Sequence, residues 1–390
     1  MINRLVLLSG NGMETFMIYM DYAANTPVDP EVLQCFVEET NRYIANPNST
    51  HPLGKEAKEK LDQITKRIAE LLGVKTTEII YTSGASEANN LAIKGLVQAY
   101  KNNGKHIIST CLEHPSVSGS LTYLQTLGYE IDLVDITKDG LVDLEHLKEL
   151  LRKDTVLVSI CTVDSELGVR QPIEEIAKLL KAYPNCYFHT DATQAVGKVP
   201  VSFEDVDCIT FTPHKFFGLN GTGILIKKEQ VILDPLIHGG TSTTIYRSGT
   251  PALGLSSSVL KALEISLQHR EERFRYVKEL NDSLKKSLLQ FKKVRINSTD
   301  YSIPHIINLS VQGIKAGIFR EALEEYGICV SIKSACSVTA SPSRPVYAVS
   351  KDKKNAMCSW RISLSYLTTK EEVEEFVKAF QSCYEKLTNQ

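Results

Sequence analysis

A lysine stands where a lysine looks out of place. The apolar run Cys208–Phe211 ends in Thr212-Pro213-His214-Lys215, two phenylalanines and a glycine-rich turn follow, and a second strand-like run opens at Thr222. Such a lysine is either a solvated charge or an amine desolvated enough to lose its proton, because burial lowers a pKa that is ordinarily about 10.4. Three other groups close strand-like runs in the same way. Thr82-Ser83-Gly84-Ala85-Ser86 turns into a helical pattern with Glu87 in its first turn. The exposed N–H groups there suit an anion such as phosphate, or simply an ordinary cap. His114 follows the run 106–111 and, taken alone, reads as a structural turn residue. Asp191 ends the run 187–191, where a buried carboxylate needs a cationic or protonated partner. Asp191 and Lys215 could also be a plain salt bridge.

Together these groups suit pyridoxal phosphate. That cofactor requires a lysine amine for its aldehyde, a carboxylate for its ring nitrogen and an anion site for its phosphate. Nucleotide loops are disfavoured, since neither G-x-x-x-x-G-K-[ST] nor a G-x-G-x-x-G after the first strand is present.

The elements that must position these groups are legible as short β-branched runs. Strands are expected at 78–83, 106–111, 130–136, 155–163, 187–191, 208–212 and 222–227, with helices between several of them, including 86–102 and 173–182. Strands joined by crossover helices make a mostly parallel α/β sheet, which binds ligands outside the strands' carboxyl ends. A long charged amphipathic helix is expected over 256–291, with a second strand–helix mixture after it. The chain thus divides into a large domain, 18–260, and a smaller α+β C-terminal domain, 261–390, on which residues 1–30 pack.

In order along the chain, Asp21-Tyr22-Ala23-Ala24-Asn25-Thr26-Pro27, Thr82–Glu87, Glu113-His114, Asp191-Ala192-Thr193-Gln194, His214-Lys215 and Arg247-Ser248-Gly249-Thr250 resemble the class V aminotransferase superfamily of pyridoxal-phosphate enzymes. Within it the chain is most similar to the cysteine desulfurases of the nitrogen-fixation and iron–sulfur-cluster type, from about residue 18 to the C-terminus. The resemblance implies the fold type I transferase architecture with a seven-stranded sheet. It implies that His114 stacks on the ring and Asp191 pairs with its nitrogen, while Gln194 contacts the ring hydroxyl. Ala85, Ser86, Thr212 and His214 hold the phosphate, helped by Thr250 from a second subunit of a homodimer. By the same resemblance Cys336, in a Ser/Pro-rich loop, is the thiol that takes sulfur from L-cysteine as a persulfide. Lys333 or the lysines at 351–354 could lower its pKa. Arg361, with Ser165 and Asn25, binds the substrate, its guanidinium gripping the α-carboxylate. The sulfur is then delivered to an acceptor protein, such as a cluster scaffold or a tRNA-modifying enzyme. Ser165, Lys333, Pro213 and Thr241–Thr244 depart from the family pattern and fit a divergent paralogue. Selenocysteine lyase, another class V aminotransferase reaction and a non-catalytic paralogue are the alternatives.

Bulk properties narrow the setting. The 390 residues carry a formal net charge of −2, which gives no reason to expect nucleic acid or an anionic membrane as partner. No apolar run reaches the roughly 18 residues of a membrane helix. The N-terminus does not read as a signal peptide, and Met13 or Met17 is a plausible true start. Nine cysteines, an odd count without a C-x-x-C pair, read as free thiols in a reducing cytoplasm, with neither a disulfide framework nor a metal site.

Overall fold

The structure, a computed structural model, describes residues 5–8, 14–333 and 341–389. The expected nucleophile Cys336 lies outside the described residues. Two N-terminal strands, β1 (Leu5–Leu8) and β2 (Glu14–Tyr19), pair antiparallel. Seven strands then build the main sheet: β3 (Ile79–Thr82), β4 (His106–Ser109), β5 (Glu130–Leu133), β6 (Thr155–Ser159), β7 (Tyr187–Asp191), β8 (Cys208–Phe211) and β9 (Gly223–Lys227). Their order is β3-β9-β8-β7-β6-β4-β5, and β9 alone runs against the others. The mostly parallel seven-stranded sheet expected from the sequence is therefore present.

Adjacent apolar residues on these strands face opposite ways, so each strand is buried on both sides. Ile80, Ile107 and Leu157 pack with Leu91, Leu96 and Leu121 on one face. Ile79, Ile108, Val158 and Ile209 pack with Ile176, Leu180, Val259 and Leu263 on the other. Each such side chain contributes about 1.5–3 kcal/mol on full burial, which fixes the strand register and hence where the polar strand ends lie.

After the main sheet come β10 (Val294–Ile296), β11 (Ile306–Val311), β12 (Ile328–Cys329) and β13 (Ser359–Ser363). β10, β11 and β13 form an antiparallel sheet, and β12 pairs parallel with β2. A separate core of Phe319, Trp360, Phe376 and Phe380 backs them, and Met20 joins it from the N-terminal segment.

Two helices differ from expectation. The helix over 86–102 is three pieces: Ala85–Asn90, a π turn at Leu91–Gly95, and Leu96–Ala99. At Gly95 the Asp234 N–H donates to the carbonyl at 2.9 Å and competes with the helical ladder there. A Cβ on residue 95 would lie only 2.6 Å from the Asp234 carbonyl. The long helix over 256–291 breaks at His269 into Leu253–Gln268 and Arg270–Leu288. The cause is a change of core, since Val259, Ala262 and Leu263 pack on the first cluster and Val277, Leu280, Leu284 and Leu288 on the second. Among the described residues no helix is long and apolar enough to cross a membrane.

Candidate active site

The strand ends open onto one cavity of ≈ 380 Å³. Ala85, Ser86, His114, Ser165, Asp191, Gln194, Thr212, His214, Lys215 and Arg361 all line it. Two expected residues do not. Asn25 turns its amide to its own neighbour, donating to the Thr26 carbonyl at 3.0 Å. Thr250 lines a different cavity, with Arg247 and Thr243, that shares Ser83 with the first.

Lys215 closes a short 3-10 turn, Pro213–Lys215, directly after β8. Its amine donates to the backbone carbonyls of Ala23, at 3.0 Å, and Ala24. The N-terminal segment clamps the turn: Thr26 donates twice to the His214 carbonyl, through N at 3.0 Å and Oγ1 at 2.9 Å, and accepts from Phe217 N at 2.8 Å. Phe217 sits at φ 68°, a left-handed conformation unusual for a bulky residue and characteristic of functional turns. Burial first, then Lys215 and Lys198, bring His214 down to about 4, so its ring is neutral at pH 7. Thr212 Oγ1 lies 2.9 Å from His214 Nδ1 and donates to the Thr222 carbonyl at 2.8 Å.

Asp191 ends β7 with little solvent contact. It accepts from Asn89 Nδ2 at 2.8 Å and from the Thr193 N–H at 2.9 Å. Asn89 also donates to Ser116 Oγ at 2.9 Å and accepts from the Thr210 hydroxyl. Ser116 lies 2.8 Å from His114 Nδ1, and its N–H donates to that ring nitrogen at 3.2 Å, making His114 the N-cap of helix Pro115–Thr126. Asn89 is thus the hinge of a network joining Asp191 to His114, and it is wholly buried. Sequence reasoning missed it. The available signal was an Asn-Asn pair on the apolar face of a helix, where an amide needs partners. Burial lowers the His114 pKa, with Asp191 and Lys215 acting in opposite directions, and the N-cap bond leaves Nδ1 as acceptor.

The turn at Thr82–Ser86 is built by close approach. A Cβ on Gly223 would lie 2.6 Å from the Gly84 carbonyl carbon, so only glycine lets β9 run beside Gly84–Ser86. Glu87 accepts from Ser83 N at 2.7 Å and from Arg247 Nε at 2.9 Å. Burial opposes its ionisation, but Arg247 and Ser83 outweigh it and hold the carboxyl below its ordinary range.

Arg361, on β13, is 1% exposed. It donates to Asp21 Oδ1 at 2.7 Å and to the Ser165 carbonyl at 2.6 Å, and its Nε has no partner among the described residues. Asp21 is held in turn by the Ser331 hydroxyl at 2.7 Å. Next to Ser165, Asp164 accepts three backbone bonds, from Glu166, Leu167 and Val169, and so shapes the turn that presents the Ser165 carbonyl.

These residues fit a phosphate-bearing pyridine aldehyde. Among the described residues the Thr193 hydroxyl is buried on the cavity wall without a partner and the carboxylate at 191 is held by neutral donors only, and small residues cradle the helix N-terminus. A fold with the ligand cavity at the carboxyl ends of a mostly parallel sheet, and a lysine, a carboxylate and an anion turn around it, defines the fold type I class. Among the described residues no group of three or more His, Cys, Asp or Glu could hold a metal ion.

The family profile described as aminotransferase class-V matches residues 18–376. A cysteine desulfurase IscS from Dictyoglomus turgidum is 35% identical over 375 residues, covering 95% of each chain. The solved structure of a NifS-like protein superposes with a TM-score of 0.89 at 31% identity, over 96% of this chain and 100% of the other. A structure of SspA in complex with cysteine matches with a TM-score of 0.78 at 29% identity, over 89% of this chain and 98% of that one. The chain belongs to the class-V aminotransferase family, and within it to the NifS/IscS cysteine desulfurases.

Proposed function

We propose that the protein is a pyridoxal-phosphate-dependent cysteine desulfurase that converts L-cysteine to L-alanine and passes the sulfur to Cys336 as a persulfide. One observation carries the reading: Lys215, Asp191, His114 and Arg361, from four separate segments, line a single cavity. When bound, pyridoxal phosphate would supply an aldehyde for an amine and an electron-withdrawing ring as an electron sink. The protein's own groups do the rest. Gly84–Ser86, Thr212 and His214 hold the phosphate, Asp191 keeps the ring nitrogen protonated, and His114 and Gln194 fix the ring's position. Lys215 anchors the aldehyde and then moves the α-proton, a role worth roughly 10²–10⁴-fold. Arg361 orients the substrate carboxylate through its unpartnered Nε, with the Asp21 contact loosening as the new charge arrives. The Cys336 thiolate attacks the substrate sulfur, forming an S–S bond as the C–S bond breaks, and alanine leaves.

The two cores support a large domain and a smaller one meeting where the helices part at His269, rather than at residue 260. Thr250, in its own cavity, would serve the site of a second subunit in a homodimer. A cluster scaffold or a tRNA-modifying enzyme in the cytoplasm would take the sulfur.

The test is turnover of L-cysteine by the purified protein with a thiol reductant. Alanine and sulfide are expected in equal amounts, with Cys336→Ala producing neither. Keto-acid formation in place of alanine, or a Cys336→Ala variant with full turnover, would sink this reading.

A further inference from the structure

A second, smaller cavity adjoins the first and shares Ala23 and Lys215 with it. Its volume is ≈ 30 Å³. Since one water needs about 10–15 Å³ of such space, the cavity takes about two waters or one small ion, and neither a phosphate nor an amino acid. Lys198, Arg270, Arg273 and His305 stand in its wall, and among the described residues no Asp or Glu does. Lys198 donates to the neutral Gln194 amide at 2.8 Å, and Arg273 lies 3.7 Å over the Tyr366 ring, so neither contact neutralises charge. Two buried nitrogens there have no partner among the described residues, Arg270 Nε and His305 Nδ1, and His305 as a whole is only 8% exposed. A buried polar nitrogen left unmatched is destabilising, and like charges at close range add repulsion. Burial, helped by the charges of Lys215 and Arg361, already brings Lys198 down to about 7.

We propose that this cavity binds one monovalent inorganic anion of halide size, held by Arg270 Nε, His305 Nδ1 as a donor, and the Lys198 ammonium. The anion compensates the positive charge of Lys198, Arg270 and Arg273 in a wall that has no carboxylate among the described residues.

Crystals of the holoenzyme soaked in sodium bromide, measured at the bromine absorption edge, show an anomalous peak within hydrogen-bond reach of Arg270 Nε and His305 Nδ1. In solution, replacing sodium gluconate by sodium bromide at constant ionic strength raises the wild-type Tm by about 1–3 °C. The rise disappears in Arg270→Met and, should that chain fail to fold, in His305→Phe. A cavity without an anomalous peak overturns the proposal. A peak with equal Tm in both salts means an adventitious ion only, and a full bromide increment in the folded variants also overturns it.

Discussion

At the scale of residues, the site depends on a few buried charges held in place by buried polar partners. Asn89 shows this most clearly, because it is the one side chain that holds both Asp191 and the Ser116–His114 pair. Asn89→Ala leaves the buried Asp191 oxygen a donor short, a loss of about 1–3 kcal/mol. The expected outcome is cofactor affinity weakened by about 5- to 100-fold, read by spectroscopic titration of the apoprotein, with the fold unchanged by circular dichroism. Arg361→Lys keeps the charge but loses the planar fork that reaches Asp21 and the Ser165 carbonyl and that, in the proposed reaction, also takes the substrate carboxylate. Its KM for L-cysteine rises by about 10-fold or more while kcat falls less, as steady-state kinetics would show. Lys215 and Asp191 stood out in the sequence because each ends or closely follows an apolar run, where its residue type is costly, whereas His114 and Arg361 were singled out through the family resemblance. Asn89 was not, because an amide inside a helix looks like any other polar residue until its three partners arrive from two strands and another helix. The Asp21–Arg361 pair was hidden for a plainer reason, being 340 positions apart.

Among the elements, the strands deliver the site and the turns after them shape it. The strand periods were readable because both faces of the sheet are apolar. The break at His269 and the π turn at Leu91–Gly95 were not, because each arises from a contact made by another segment. Strand β7 also buries an ionisable ring. His189, with its Nδ1 2.8 Å from Ser159 Oγ, is pushed down to about 4, by burial chiefly, with Asp191 opposing. Unfolded, the same ring takes its proton near pH 6.5. Between pH 6.5 and 4 the unfolded chain therefore binds a proton that the folded chain refuses, so this group's stabilising contribution is lost as pH falls. Glu113, raised to about 8 mainly by burial, works in the opposite sense over part of the same range, so whole-protein profiles mix the two. Comparison with His189→Asn isolates the histidine. Relative to wild type, the variant gains about 1.4 kcal/mol per pH unit as pH drops from 6.5 towards 4. Denaturant titrations at four pH values measure it, and a pH-independent difference would contradict the assignment.

For the whole molecule, the cavity with Thr250 lies apart from the main one while sharing Ser83 with it, an arrangement suited to completion by a second copy. Mixing inactive Lys215→Ala with impaired Thr250→Val chains, after mild dissociation and reassociation, should restore activity, since each mixed dimer then contains one site with both native residues. Activity that stays at the level of the separate variants would show that each chain carries a complete site. The account as a whole rests on the amine at the end of β8. Its most direct measurement is borohydride reduction of the protein loaded with pyridoxal phosphate, followed by peptide mass mapping. The prediction is a visible absorbance that reduction removes, with the cofactor's mass fixed on the peptide containing Lys215. A protein that acquires no absorbance, or a label on any other residue, contradicts it.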